Sequence, residues 1–225
     1  MSEDTKFEFT TPMAVVAAGV IIAGAILYAN TQSSANAAPQ GGSQPTVEAH
    51  VQAPSAADYR YGSANAEVVL IEYSDFQCPY CTMVHTTLKG LVDSSNGKVA
   101  WIMRNLPLTQ IHPQANPAAN AAECIGEQLG SAGWWRYADA VFANPDKLSA
   151  QYSAELAKQF GADTAKYNAC VSSGKYQAKI DAQTADVRAS GGNGTPFTVV
   201  YGKGKQVPVS GAVPAAMFQS VIDSL

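Results

Sequence analysis

Apolar and polar positions divide the chain into three stretches. Residues 12–29 are apolar or small and carry no charge. Residues 30–57 are mostly Ala, Gln, Ser, Asn, Gly and Pro, with almost no bulky apolar side chains. From about residue 58 onward, apolar residues recur with the periods of strands and helices. The run Val68-Val69-Leu70-Ile71-Glu72-Tyr73 is short and β-branched without alternation, which predicts a buried strand. Residues 82–92 predict a helix, ended by the polar cluster Asp93-Ser94-Ser95-Asn96-Gly97, and residues 99–104 predict a second strand. Strand, helix and strand of these lengths form a βαβ unit, parallel and right-handed.

A helical block follows, with helices expected over 117–129, 132–142, 150–160, 163–172 and 175–189. Gly130, Asn144-Pro145-Asp146, Gly161 and Gly174 separate them. Strand signals return at 197–200 and 207–209. The turn residues Gly202-Lys203-Gly204-Lys205 between them predict an antiparallel hairpin. A last helix runs from about Pro214 to the end of the chain, with proline in its first turn. The expected architecture is a βαβ–ββα domain over 58–225, its core at about 58–110 and 190–225, with helices inserted over about 113–189.

The N-terminal stretches change the picture by setting the compartment. At about 1.5 Å of rise per residue, the run 12–29 covers about 27 Å as a helix, marginally enough to cross a bilayer. It reads as an uncleaved transmembrane anchor or as the apolar part of a signal peptide. Ala35-Asn36-Ala37 is an acceptable cleavage site. That site lies far from the apolar run, and Lys6 stands against Glu3, Asp4 and Glu8, so the anchor is the preferred reading. Lys6 precedes the run and the next basic residue is Arg60, which puts residues 1–11 in the cytoplasm and the rest outside it. Residues 30–57 then form a flexible linker that holds the folded part some tens of Å from the membrane, at roughly 5–6 Å times the square root of its length. Either reading gives an extracytoplasmic location, in the periplasm or cell envelope, where disulfides persist. A net charge of −4 over 225 residues leaves no basic footprint for nucleic acid.

Four cysteines bring in the chemistry. Cys78-Pro79-Tyr80-Cys81 stands where the first strand turns into the first helix. A thiolate there is stabilised by unpaired backbone N–H groups and the helix dipole. Cys78, at the helix mouth, is the expected nucleophile; Cys81, a turn further in, is the expected resolving thiol. Pro79 removes one backbone donor and stiffens the turn, and Tyr80 adds bulk. Glu72 could sit beneath the sulfurs as a proton-handling carboxylate, or be an ordinary strand-end residue. Zinc ribbons need a second ligand pair, which is missing here, although His85 follows Cys81 at helical spacing and leaves a partial metal site open. Gly191-Gly192-Asn193-Gly194-Thr195-Pro196 precedes the strand at Phe197, a place where a cis X-Pro bond can turn the chain.

The run Glu72-Tyr73-Ser74-Asp75-Phe76-Gln77-Cys78-Pro79-Tyr80-Cys81, followed by inserted helices and Thr195-Pro196, resembles the DsbA-like thioredoxin-fold thiol:disulfide oxidoreductases over about residues 60–225. The resemblance implies a thioredoxin fold interrupted by a helical domain. It implies that Pro196 is cis and lies against the cysteines, that the Thr195 backbone pairs with bound peptide, and that Glu72 is the buried acid before the motif. Many members have His where this chain has Tyr80. The resemblance also implies a dithiol oxidase acting on reduced exported proteins, without a cofactor, reoxidised by a quinone-linked membrane protein of the DsbB or vitamin-K-epoxide-reductase-like kind. A reductase or isomerase, or a non-enzymatic metal carrier using Cys78 and Cys81, are the rival readings.

With the motif pair set aside, Cys124 and Cys170 remain, in two different predicted helices. A structural disulfide between them would contribute roughly 3–4 kcal/mol by closing a long loop; two separate buried thiols are the alternative. Trp134, Trp135 and Tyr137 at a helix start are expected to be core, and His112-Pro113 to be structural.

Overall fold

The computed structural model describes residues 49–225, so the expected cytoplasmic N-terminus, the anchor or signal segment 12–29, the cleavage site and linker residues 30–48 lie outside the described residues. Among the described residues, no helix is long and apolar enough to cross a membrane.

Five strands form one mixed sheet: β1 Arg60–Gly62, β2 Val68–Ser74, β3 Val99–Asn105, β4 Phe197–Gly202 and β5 Lys205–Ser210. Their order is β1-β3-β2-β4-β5. Strands β2 and β3 are parallel, with Glu72 opposite Met103; β4 runs antiparallel to β2, with Glu72 opposite Thr198. The hairpin partner β5 and the edge strand β1 complete the sheet, both antiparallel to their neighbours. Every residue of β2 and β3 is buried, as the unbroken apolar runs require. β1 escapes sequence pattern because three residues cannot display a period.

Helix α1, Pro79–Ser94, connects β2 to β3. The helical insertion between β3 and β4 contains α2 Ala115–Ala143, a short 3-10 turn Pro145–Lys147, α3 Ala150–Phe160, α4 Thr164–Ser172 and α5 Gln177–Ala189. α6, Ala215–Asp223, ends the fold, with Pro214 as its N-cap rather than inside its first turn. Gly130 stands inside α2 at φ 64°, ψ −163°, so α2 is two helices joined at a kink that an L side chain would resist. The caps are conventional: Ser149 accepts from the Tyr152 N–H and Asp163 from the Lys166 N–H.

Side-chain alternation in the sheet produces two cores. Leu70, Trp101, Met103 and Val200 join Leu88 of α1 and Trp134, Tyr137 and Val141 of α2 on one face. Val69, Ile71, Tyr73, Ile102 and Val199 join Val187 of α5 on the other. Trp134 and Tyr137 are fully buried and Trp135 nearly so, which makes this aromatic cluster core.

The second face also holds a correction. Ala49 and Val51 are buried in it, so residues 49–57 belong to the folded domain and the flexible linker expected over 30–57 is too long. The segment is held by backbone groups rather than by bulky side chains, which is why composition misses it. The side chain of Gln206 accepts from Val51 N–H at 2.9 Å and donates to Val51 O at 3.3 Å. Arg104, itself buried, donates to Gln52 O at 2.7 Å and Ala53 O at 3.1 Å, and pairs with Asp58 at 2.9 Å. A buried guanidinium needs all its donors satisfied, and this segment supplies the acceptors.

Candidate active site

Cys78 is the N-cap of α1, in extended conformation at φ −78°, ψ 124°, with Pro79 in the first helical position. Its backbone carbonyl accepts from the N–H groups of Cys81 at 3.1 Å and Thr82 at 3.2 Å, so the helix starts three residues earlier than expected. Proline favours this because its fixed φ suits a helix start and its missing N–H would be unpaired there. The bend before Cys78 is braced by Asp75, whose buried carboxylate accepts from Gln77 N–H at 2.7 Å and Leu108 N–H at 2.8 Å. His112 Nδ1 lies 2.9 Å from the same carboxylate. This gives His112 a structural place, tying the loop after β3 to the loop that carries Cys78.

Neither Cys78 nor Cys81 is in a disulfide, so the structure is of the dithiol. Cys78 Sγ lies 3.6 Å from the carbonyl oxygen of Thr195, and the Thr195–Pro196 peptide bond is cis. The two motifs, far apart in sequence, therefore meet at one sulfur. The Gly-rich loop before Pro196 makes room for itself: a Cβ on Gly192 would stand 2.3 Å from Val187 Cγ2. Tyr80 projects into solvent, 60 % exposed, and Met83 one turn away is 59 % exposed.

The two thiols differ sharply. Hydrogen bonding from Cys81, with the N–H groups of Cys81 and Tyr80 adding to it, lowers Cys78 to about 5 despite its burial. Burial pushes Cys81 well above the ordinary thiol range, and hydrogen bonding to Cys78 and the charge of Glu72 push the same way. Cys81 and Glu72 are both inaccessible to solvent. Burial raises the Glu72 carboxyl to about 8. Its Oε2 accepts from Trp101 Nε1 at 3.1 Å, while Oε1 has no protein partner. Ser74 Oγ stands near enough to offset part of the burial cost, although no hydrogen bond closes onto it. Trp101, Ser74 and Thr198 carry no sequence signal of a role here; Ser74 shares the face of Glu72 two residues along β2, and the strand register sets Trp101 and Thr198 beside it.

The contacts of His85 are with Asp139 and with aromatic rings. Its Nε2 lies 2.7 Å from Asp139 Oδ1 and its ring packs on Trp101 and Phe142, with centroids 5.0 Å and 4.7 Å apart. Among the described residues, no group of three or more His, Cys, Asp or Glu side chains is arranged to hold a metal ion. Cys124 and Cys170 form a disulfide that joins α2 to α4 across a sequence separation of 46.

A family model described as thioredoxin matches residues 55–224. Curated relatives include the Na(+)/H(+) antiporter NhaA 3 of Salinispora tropica, 31 % identical over 166 residues, which cover 72 % of this chain and 24 % of that protein. A second, NhaA 1 of Salinispora arenicola, is 30 % identical over 147 residues, covering 65 % of this chain and 22 % of that one. The chain thus spans about a quarter of the length of these relatives. Among solved structures, DsbA2 of Pseudomonas aeruginosa matches with a TM-score of 0.64 and 27 % identity, covering 77 % of this chain and 96 % of that one. Oxidised BdbD from Bacillus subtilis matches with a TM-score of 0.66 at 16 % identity, over 79 % and 97 % of the two chains, a likeness of fold alone. The chain belongs to the thioredoxin family and, within it, has the fold of the DsbA-like thiol:disulfide oxidoreductases.

Proposed function

We propose that the chain is a dithiol oxidase that introduces disulfides into exported proteins. The observation that carries this reading is the contrast between the two sulfurs: Cys78, at a helix N-cap beside Thr195, is lowered to about 5, while buried Cys81 is raised. In the oxidised enzyme, a substrate thiolate attacks Cys78 Sγ and breaks the Cys78–Cys81 bond. Cys81 leaves as a thiolate and takes a proton, and buried Glu72, whose charge bears on Cys81, is the acid assigned to supply it. A second substrate thiolate then attacks the substrate sulfur of the mixed disulfide. Cys78 leaves with the bonding electrons, readily because its thiolate is stable. The substrate ends with a disulfide and the enzyme as the dithiol.

An extended reduced chain suits the surroundings. The Thr195 backbone offers strand-like pairing beside Cys78, and exposed Tyr80 and Met83 offer apolar contact without shape selectivity. Turnover needs an acceptor for two electrons, and a quinone-linked membrane reoxidase of the DsbB or vitamin-K-epoxide-reductase-like kind fits an extracytoplasmic enzyme anchored by residues 12–29. Sharing a membrane would raise the effective concentration of the two partners.

Equilibration of the Cys78–Cys81 pair with glutathione tests the direction of electron flow. A potential near about −120 mV is expected for a dithiol oxidase. A value near about −270 mV would make reduction or isomerisation the activity. Failure to equilibrate at all would remove the redox reading.

A further inference from the structure

Three buried polar atoms of β2 and β4 have no protein partner: Glu72 Oε1, Ser74 Oγ and Thr198 Oγ1. Glu72 and Ser74 are two apart on β2 and so share a face, and Thr198 stands directly across from Glu72 on β4. This is the face covered by α1. The fourth polar group there is the indole of Trp101, whose Nε1–H donates to Glu72 Oε2 at 3.1 Å. Trp101 is itself fully buried and clamped by His85 on one side and Trp135 on another, with ring centroids 5.0 Å and 4.3 Å away. His85 is in turn held by Asp139. The indole cannot rotate away from the carboxyl without displacing these neighbours.

An indole nitrogen only donates. Its bond to Oε2 is kept whether Glu72 is ionised or neutral, provided the acid proton sits on the other oxygen, because a carbonyl-type oxygen accepts far better than a hydroxyl one. Oε1 is then where the proton resides, and the unpartnered hydroxyls of Ser74 and Thr198 share its face as acceptors for it. Resting on the oxidase reading above, we propose that Trp101 is a positioning residue for proton transfer, which by binding Oε2 leaves Oε1 as the atom through which Glu72 exchanges a proton with Cys81. When substrate thiolate breaks the Cys78–Cys81 bond, Cys81 leaves with the electron pair and takes the proton from Oε1. The carboxylate formed is met by the indole N–H, in a bond that strengthens as charge develops. In the reverse step, Cys81 returns its proton to Oε1 and its thiolate attacks Cys78 Sγ of the mixed disulfide, which expels the substrate sulfur as a thiolate.

The titratable groups facing this cluster are Cys78, Cys81 and His85 on α1, and Tyr61 of β1, whose ring lies 6.3 Å from Trp101. β4 contributes a hydroxyl and β3 the apolar Met103. The experiment must therefore separate Glu72 from the thiols and His85.

The full chain has three tryptophans, so three indole N–H signals suffice to follow Trp101 by proton–nitrogen NMR in the reduced protein. The Trp101 signal is expected to move with pH through one midpoint in the wild type and to lose that step in E72Q, an isosteric variant. Closure of a Cys78–glutathione mixed disulfide by Cys81 should accelerate through the same midpoint. In W101F that kinetic midpoint should rise by about one to two pH units, the effect of removing a hydrogen bond to a charged group. A Trp101 signal that ignores pH, or one that titrates equally in E72Q, would overturn the proposal, as would an unchanged midpoint in W101F. Should W101F not fold, the wild-type and E72Q signals decide alone. If the chain exchanges no disulfides, the oxidase reading falls while the NMR titration still reports on the Trp101–Glu72 contact.

Discussion

The molecule holds two cysteine pairs, and their surroundings are opposite. Cys78 and Cys81 are three residues apart at the start of one helix, with N–H donors, the Thr195 carbonyl and a buried acid around them. Cys124 and Cys170 are separated by 46 positions and tie two helices of the insertion together. Cys124 is inaccessible to solvent, and Cys170 Sγ has the Glu127 carboxylate 3.6 Å away. That carboxylate is held by Lys175 and kept ionised by it. The same disulfide chemistry is thus favoured at one pair and hindered at the other. An incoming thiolate meets N–H donors at Cys78, whereas at Cys170 it meets the Glu127 carboxylate, itself paired with Lys175. Reactivity follows from the local charge and hydrogen bonding, not from the presence of an S–S bond.

The largest expected effect separates the pairs outright. Cys78→Ser should abolish disulfide exchange with a reduced peptide substrate. The double variant Cys124→Ala with Cys170→Ala should keep exchange while losing about 3–4 kcal/mol of stability in urea denaturation. If the double variant lost exchange with its fold intact, the second pair would be a working redox couple.

The next effect is a pH dependence with two opposed signs. Cys78 titrates near 5 in the folded dithiol, below its ordinary value of 9.0. Its contribution to stability is therefore complete above the ordinary value and is lost as pH falls through about 5. The oxidised protein has no such group, so raising the pH from 5 to 9 should shift the stability difference toward the reduced form. Glu72, raised from 4.5 to about 8, acts the other way: its contribution is present below 4.5 and is lost as pH rises through about 8. Denaturation midpoints of both redox forms across that range, repeated in E72Q, resolve the two terms. A midpoint for alkylation of Cys78 near the ordinary thiol value would contradict the contrast between the pairs.

The smallest effect concerns the shield at Cys170. Glu127→Gln should speed reduction of the Cys124–Cys170 bond by an anionic thiol about two- to five-fold, the scale of an exposed charge interaction. An uncharged reductant should show no such gain. Equal acceleration by both would mean that access, rather than charge, protects the bond.

Much of this was legible along the chain, where short-range physics suffices. The Cys-Pro-Tyr-Cys run, the strand before it and the helix after it are local features, since proline and the unpaired N–H groups of a helix start act within a few residues. The punctuation by Gly130 and Gly161 likewise follows from backbone sterics at single positions, and both glycines have positive φ. The buried run of β2 announces a central strand because no alternation survives burial on both faces.

Contacts between distant segments lay beyond that reach. Residues 49–57 read as tether because their composition is poor in apolar side chains, yet Arg104 and Gln206 hold their backbone to the sheet and Asp186 holds it to α5. Trp101 reads only as an apolar strand residue until the parallel register of β2 and β3 brings its indole to Glu72. Thr198 becomes part of the site only because β4 runs antiparallel to β2 in the register that puts it opposite Glu72. Periodicity, caps and turns act over a few residues and are written in order along the chain. Burial, register and the partner of a buried polar atom arise between segments far apart in sequence, so folding alone brings them into being.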